Sequence, residues 1–144
     1  MTKPRPIPSV FLEDTPYRSV LQDRCFDNID WGGSDEGCWE WQGVRQHHGH
    51  GVIAATDDGR YSNWMAHRLM YAWEYGDTPL PPDHLCANTA CVNPRHLQPV
   101  TPRTNSLRGE GPAAENARKD RCKYGHPLYG DNLYIEGGRR RCRE

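Results

Sequence analysis

Large aliphatic side chains are scarce in this chain. Leu, Ile, Val and Phe together supply 21 of its 144 residues, below the roughly one fifth that marks chains with a conventional core. The formal net charge is only −1, so the high net charge that accompanies intrinsic disorder is missing. We therefore expect a folded chain held together by other groups. The candidates are five Trp and seven Tyr, which bury large areas, and six Cys with seven His, the usual ligands of structural zinc.

The hydropathy of the chain argues against a membrane-spanning or a secreted protein. No stretch approaches the roughly 20 consecutive apolar residues of a membrane span, and the polar, proline-rich start lacks a secretory core. We therefore expect a cytoplasmic protein with no membrane partner. In that reducing compartment, six cysteines favour metal ligands or free thiols over a disulfide framework.

Charge is distributed unevenly along the chain. Residues 1–99 carry 8 basic and 13 acidic side chains, whereas residues 100–144 carry 10 basic and 6 acidic ones. A basic C-terminal segment fits contact with a polyanion such as DNA or RNA, and a solvated charged tail is the alternative.

Periodicity and turn signals predict a small α+β chain. Residues 1–36 predict a proline-rich arm that contains one short helical turn around residues 17–22. Strands are predicted at 38–41, 51–55 and 60–63, in one small antiparallel sheet. The best helix is predicted over 64–75, and a second begins at Pro102 after a capping Thr101. Residues 113–121 predict a connecting helix, and the remainder is turn-rich, with a hairpin signal at residues 137–138.

A dense group of metal-ligand residue types lies between residues 83 and 96. Cys86, Cys91 and His96 have spacings suited to wrapping one zinc ion. A structural zinc needs four ligands, and Cys38, on a strand predicted to flank this loop, is the natural fourth. The alternative is that both loop cysteines are buried thiols and His96 is a core histidine.

His84 stands just before the first loop ligand, so folding of the loop around zinc would fix its position. A fixed imidazole with a pKa near neutrality is a competent general base for activating water. Asn105 and Asp83 offer the hard oxygen ligands that Mg²⁺ takes. Each of these residues also has an ordinary interpretation as a capping or surface residue.

The run from Asp83 to Asn105, with Cys38-Trp39-Glu40-Trp41 upstream, resembles the HNH nucleases of the phage type. Its zinc loop resembles that of the His-Cys box homing endonucleases. The resemblance implies an α+β, zinc-stabilised ββα-metal fold (HNH, or His-Me finger) with an N-terminal antiparallel sheet and a C-terminal zinc-ribbon-like tail. It implies a nuclease domain at 37–109, between the arm and a linker with a basic zinc-binding tail at 110–144.

The resemblance also implies a reaction. The chain would be a Mg²⁺-dependent DNA endonuclease, with other divalent ions as possible substitutes, that hydrolyses phosphodiester bonds. His84 would be the general base, Asn105 would hold the metal, and Asp83 would be a second metal ligand. A cation near the scissile phosphate would come from Arg68 or Arg60, although Arg68 is equally suited to a structural ion pair.

The C-terminal residues Cys122, His126 and Cys142 resemble the small zinc-binding tail of many phage HNH proteins. The final cysteine of that pattern would fall one residue beyond Glu144. A second zinc ion would therefore take Cys25, water or a partner residue as its fourth ligand, and a loosely ordered tail is the alternative. Three consecutive arginines, 139–141, would add phosphate contacts.

Four further histidines have no predicted chemical role. His47, His48 and His50 cluster before Gly51 and are predicted to be polar loop residues. His67 is predicted to pack or to form a hydrogen bond rather than to react.

Three functions remain open from the sequence. The leading one is the zinc-stabilised, Mg²⁺-dependent endonuclease acting on double-stranded DNA, as a monomer or as a homodimer formed through the proline-rich arm. The second is a zinc-stabilised DNA-binding module without nuclease activity, which would have no use for an oxygen ligand at Asn105. The third is an RNA-binding or interaction protein.

Removal of zinc is expected to unfold the chain, because a closed structural site contributes on the order of 10 kcal/mol to folding. Tryptophan fluorescence and circular dichroism, followed while a strong chelator is added, measure this. An apo protein that still unfolds cooperatively on heating would show that aromatic packing alone is sufficient.

Overall fold

The computed structural model describes residues 5–144, so the first four residues of the predicted arm lie outside the described part. This part is a mixed α+β structure with small antiparallel sheets. The helices are α1 (Pro16–Phe26), α2 (Ala66–Tyr75), α3 (Pro102–Arg108) and α4 (Pro112–Arg118). The strands are β1 (Ile29–Asp30), β2 (Glu40–Trp41), β3 (Val52–Asp57), β4 (Arg60–Met65), β5 (Pro82–His84), β6 (Leu97–Pro99), β7 (Leu133–Glu136) and β8 (Arg139–Cys142). Consecutive strands pair as four two-stranded sheets.

The chain divides into two compact units, one that ends at Thr101 and one that spans Pro102–Glu144. The nuclease domain predicted to end at residue 109 stays a prediction, and the division into compact units falls before α3. The reason is that α3 packs against α4, and the Arg118 guanidinium donates to the Gly109 carbonyl at 3.3 Å.

The segment predicted to be an arm contains an ordered helix. The Thr15 hydroxyl accepts a hydrogen bond from the Arg18 amide at 3.1 Å, and Pro16 occupies the first helical position. Both are standard signals for a helix start. One face of α1 buries Leu21 and Cys25, so this helix contributes to the core of the first unit.

Phe11 completes that core from the N-terminal side. Its ring is fully buried, stacks on Tyr17 with centroids 5.6 Å apart, and meets Trp64 edge-on at 5.4 Å. The Trp73 indole donates to the Phe11 carbonyl at 2.7 Å. Aromatic rings therefore supply much of the apolar packing that the aliphatic residues are too few to provide.

The hairpin β3–β4 leads directly into α2. Its register pairs Val52 with Met65, and Asp58 and Gly59 form the turn with φ of 46° and 73°. Positive φ at both positions is typical of the type I′ turn that joins twisted strands. Helix α2 begins at Ala66, two residues later than predicted, because residues 64 and 65 still belong to the strand ladder.

Strand β2 does not join the β3–β4 hairpin, so the predicted three-stranded sheet is absent from the described residues. It pairs with β1 instead, and the loop after β5 lies along it. The Trp41 amide donates to the Ala90 carbonyl, and the Val92 amide donates to the Trp39 carbonyl, both at 2.9 Å. The contact between β2 and the loop after β5 joins segments that are far apart in the chain, which explains why sequence periodicity could not predict it.

The hairpin β5–β6 flanks the dense Cys/His segment. Asp83 pairs with Gln98 and His84 with Leu97, so the loop of residues 85–96 is held at both ends. Helix α3 follows after two residues. No described helix has the length and apolar character that crossing a membrane requires.

Replacement of Phe11 by Ala is expected to lower the free energy of unfolding of the first unit by about 3–5 kcal/mol, since a fully buried ring is deleted. Chemical denaturation followed by tryptophan fluorescence measures this. The matched control is Val20→Ala on α1, where the side chain is 56% exposed and little change is expected. Equal stability of the two variants would contradict the buried role of the N-terminal segment.

Candidate active site and metal centres

Four ligand-type side chains of the first unit converge on one point. The metal-binding atoms of Cys38, Cys86, Cys91 and His96 all lie within 4.8 Å of one another. Nδ1 of His96 is 3.6 Å from the Cys38 sulfur and 3.5 Å from the Cys91 sulfur. Three thiolates and one imidazole are the ligand set of a closed, structural zinc site. These residues could therefore hold zinc.

Hydrogen bonds behind the four ligands keep them in place. Nε2 of His96 lies 3.0 Å from the Glu36 carbonyl, so it carries the ring proton and leaves the Nδ1 lone pair facing the sulfurs. Asn93 is fully buried; its side-chain amide donates to the carbonyls of Asp35 at 3.0 Å and Gly37 at 2.7 Å. Asn93 therefore ties the loop to the segment before Cys38 and does not face a metal.

Burial raises the pKa of the Cys91 thiol to about 12. Without a metal this sulfur would stay protonated at neutral pH. Because zinc binds the thiolate, metal binding at this site would release a proton.

His84 is the last residue of β5, and it is half-buried next to the loop of residues 85–96. Nε2 is 2.9 Å from the carbonyl oxygen of Cys91, so Nε2 carries the proton and donates it to that carbonyl. The remaining nitrogen, Nδ1, then has a free lone pair. Burial lowers the pKa of His84 below its ordinary value, despite the opposing hydrogen bond to Cys91. The imidazole is therefore neutral near pH 7, the form that can accept a proton.

The two predicted oxygen ligands lie in different units. Asp83 is half-buried on β5, next to His84, and Asn105 is exposed on α3. Asp83 lies on β5 and Asn105 on α3, and the elements follow one another in the order β5, β6, α3. This is the order of the ββα pattern that the resemblance implies.

Arg68 has a structural partner. Its side chain is buried on α2 and pairs with Asp77 at 3.2 Å. Arg60 is exposed at the turn end of the β3–β4 hairpin, opposite Asp57. We therefore assign Arg68 to the ion pair and not to a scissile phosphate.

Two histidines that the sequence left without a role lie beside His84. The ring centroid of His67 is 4.8 Å from that of His84, and the His50 centroid is 5.4 Å from His84 and 5.3 Å from His67. The sequence contains a signal for this cluster, because His50 lies just before β3 and His67 lies just after β4. The two ends of an antiparallel hairpin are neighbours, so a correct register would have brought both residues together.

A second group of ligand-type residues lies in the C-terminal unit. The ligand atoms of Cys122, His126 and Cys142 are within 4.8 Å of one another. Nδ1 of His126 is 3.1 Å from the main-chain oxygen of Glu144, and the Cys142 sulfur is 3.0 Å from the same oxygen. This group could also hold zinc.

Cys25 is not available as the fourth ligand of that second group. It is fully buried among the apolar side chains of the hydrophobic core of the first unit. We therefore assign its sulfur to core packing and not to a second zinc ion.

The three consecutive arginines differ in their surroundings. The Arg140 guanidinium donates to four main-chain carbonyls, those of residues 116, 117, 119 and 128, at 2.5–3.3 Å. It therefore ties the end of α4 to the β7–β8 hairpin. Arg141 pairs with Glu136 at 3.1 Å. Arg139 is exposed, which makes it the best suited of the three to contact a phosphate.

Comparison with known proteins gives two matches. Residues 65–107 match the family described as HNH endonuclease. The chain is 38% identical over 73 residues to Protein 2.8 of Escherichia phage T7, which covers 51% of this chain and 49% of that protein. The chain thus spans about half the length of that relative. No solved structure matches. The two matches confirm the resemblance to HNH endonucleases of the phage type.

Substitutions at the two cysteine groups are expected to have different consequences. Cys142→Ser should lower the zinc content from two ions per chain to one and leave the first unit folded. Cys91→Ser should also remove one ion but unfold the first unit. Elemental analysis measures the zinc, and tryptophan fluorescence reports on the first unit alone, since all five Trp precede residue 102. One zinc ion in the unmodified protein would rule out the C-terminal site.

Proposed function

We propose, from the match of residues 65–107 to the HNH endonuclease family, that this protein is a Mg²⁺-dependent DNA endonuclease of the ββα-metal class. The observation that carries the proposal is the setting of His84. Its imidazole is neutral, has a defined tautomer, and is bonded to the main chain of a four-ligand metal loop. The order of hairpin β5–β6 and helix α3 matches the order that gives this class its name.

His84 would act as the general base. Its Nδ1 lone pair can take a proton from a water molecule while Nε2 keeps its hydrogen bond to the Cys91 carbonyl. The resulting imidazolium remains bonded through Nε2, so its positive charge is stabilised by that carbonyl. General-base catalysis of this kind contributes about 10²–10⁴-fold to a rate.

By resemblance to the HNH family, we propose Asn105 and Asp83 as ligands of the catalytic cation. Both offer side-chain oxygen atoms, the ligand type that Mg²⁺ prefers, and other divalent cations that take oxygen ligands would substitute for it. A bound cation of this kind supplies charge stabilisation to the phosphate and to the leaving 3′ oxygen. The products carried over from the family are a 5′ phosphate and a 3′ hydroxyl.

Zinc at Cys38, Cys86, Cys91 and His96 would be structural. Four protein ligands complete its coordination, which leaves no position for water or substrate. Its contribution to the reaction would be indirect, because the loop that it closes carries the carbonyl that orients His84.

The C-terminal unit would add affinity for double-stranded DNA. Ten basic side chains against six acidic ones fall within residues 102–144, and phosphate contacts supply binding without reading sequence. A zinc ion at Cys122, His126 and Cys142 would stabilise this unit as a small zinc-ribbon-like tail, in which Arg140 is a structural residue.

Plasmid cleavage tests the proposal. The unmodified protein is expected to nick supercoiled DNA with Mg²⁺ and to be inactive with EDTA, while His84→Ala loses about 10²–10⁴-fold in rate. His47→Ala, an exposed histidine, is the matched control and should retain full activity. Linear product at early times would indicate paired active sites in a homodimer.

Two results would contradict the proposal. Mg²⁺-dependent nicking that is unchanged in His84→Ala would exclude this residue as the base. Binding to DNA without cleavage of any substrate would instead favour the alternative, a zinc-stabilised DNA-binding module.

A further inference from the structure

Three imidazoles of the first unit form one cluster, of which the proposed mechanism uses only one. His50, His67 and His84 have ring centroids 4.8–5.4 Å apart in all three pairs. His67 is buried, whereas His50 and His84 are half-buried. Both of the latter residues are therefore partly accessible to solvent.

The main chain around His50 is held firmly against its neighbours. A side chain at Gly51 would overlap the Trp41 ring, with contacts down to 2.5 Å, and a side chain at Gly49 would meet the Thr89 hydroxyl at 2.5 Å. The Ala66 amide also donates to the Gly51 carbonyl at 2.9 Å. The position of His50 beside His84 is therefore set by close backbone packing, not by a loose loop.

His67 forms the buried floor of the cluster. Its Nδ1 is buried and has no hydrogen-bond partner among residues 5–144. A buried polar atom without a partner costs about 1–3 kcal/mol, and a cluster selected only for packing would use an apolar side chain here. The cost indicates a role for the cluster beyond packing.

Neither of the two arginines that the sequence offered for the scissile phosphate is well placed at this cluster. Arg68 is held by Asp77. Arg60 is at the turn end of the β3–β4 hairpin. Along β4 it is five residues from Met65, the register partner of Val52. Five residues span about 17 Å at the usual rise per strand residue. His50 precedes Val52 by two residues and is at the opposite end.

We propose that His50 is a second catalytic residue, which donates an N–H hydrogen bond to a non-bridging oxygen of the scissile phosphate while His84 activates water. His67 acts as the support on which both rings pack. An imidazole has at least one N–H donor whether neutral or charged, so this role needs no particular protonation state. The inference rests on the proposed nuclease function and assigns the phosphate donor within it.

Two replacements of similar size separate donation from packing. His50→Leu removes the donor, and His50→Gln keeps an N–H group at the end of a side chain of comparable length. Loss of one preorganised donor to a developing oxyanion costs about 10²–10³-fold in kcat. We expect that loss in His50→Leu with KM almost unchanged, and recovery of about tenfold or more in His50→Gln. His47→Ala is the control that should match the unmodified protein.

The kinetics are measured with a labelled duplex at fixed Mg²⁺, together with a denaturation curve for each variant. Activity of His50→Leu that equals that of the unmodified protein would overturn the inference and leave the nuclease proposal intact, provided that His84→Ala is inactive. Equal losses in the Leu and Gln variants, with lowered stability, would show a packing role and also overturn it. An inactive unmodified protein would remove the nuclease proposal and this inference together.

Discussion

The contact between the β2 strand and the loop of residues 85–96 is the constraint on which the first unit depends. On one side of it lies Trp41, fully buried in the aromatic core. On the other side lie the four ligand atoms that surround one point. Main-chain hydrogen bonds and the buried Asn93 amide join the two sides. Metal binding at these four ligands would therefore be coupled to core packing, because neither side can move without the other.

This coupling explains how a chain so poor in aliphatic residues can fold. The rings of Phe11, Trp41 and Trp64 fill the interior. Trp41 lies on the segment that the four candidate metal ligands would fix. The scarcity of Leu, Ile and Val is thus matched by a core in which a few large side chains are held by the pairing of short strands, and chelation at the four ligands would add to this.

Local signals in the sequence were sufficient for much of the site. Residue spacing identified Cys38, Cys86, Cys91 and His96 as one group, and the start of α3 at Pro102 followed from a capping signal. What spacing could not predict depends on contacts between distant residues. The pairing of β2 with β1 and the burial of Phe11 under Trp64 are of this kind. The cluster of His50, His67 and His84 depends on hairpin register, which is fixed only when both strands have been placed.

The full length of α1 had a local signal that the prediction of a single turn at residues 17–22 did not use. The pair Thr15-Pro16 starts α1 in the way that Thr101-Pro102 was expected to start α3, but the surrounding prolines suggested an arm. The surroundings of Arg68 and Cys25 also decided between the alternatives for these two residues, since Arg68 is buried and paired with Asp77 and Cys25 is enclosed in the apolar core. The exposure of a side chain cannot be read from the sequence alone, and here exposure decided both assignments.

The hydrogen bond from His84 to the carbonyl of Cys91 has a consequence for how this protein tolerates mutation. In many catalytic groups the orienting partner is a carboxylate, which a single codon change can delete. Here the partner is main chain, and every amino acid at that position carries the same carbonyl. The tautomer of His84 therefore depends on the path of the backbone, and a substitution can remove it only by displacing the loop of residues 85–96, as Cys91→Ser is expected to do.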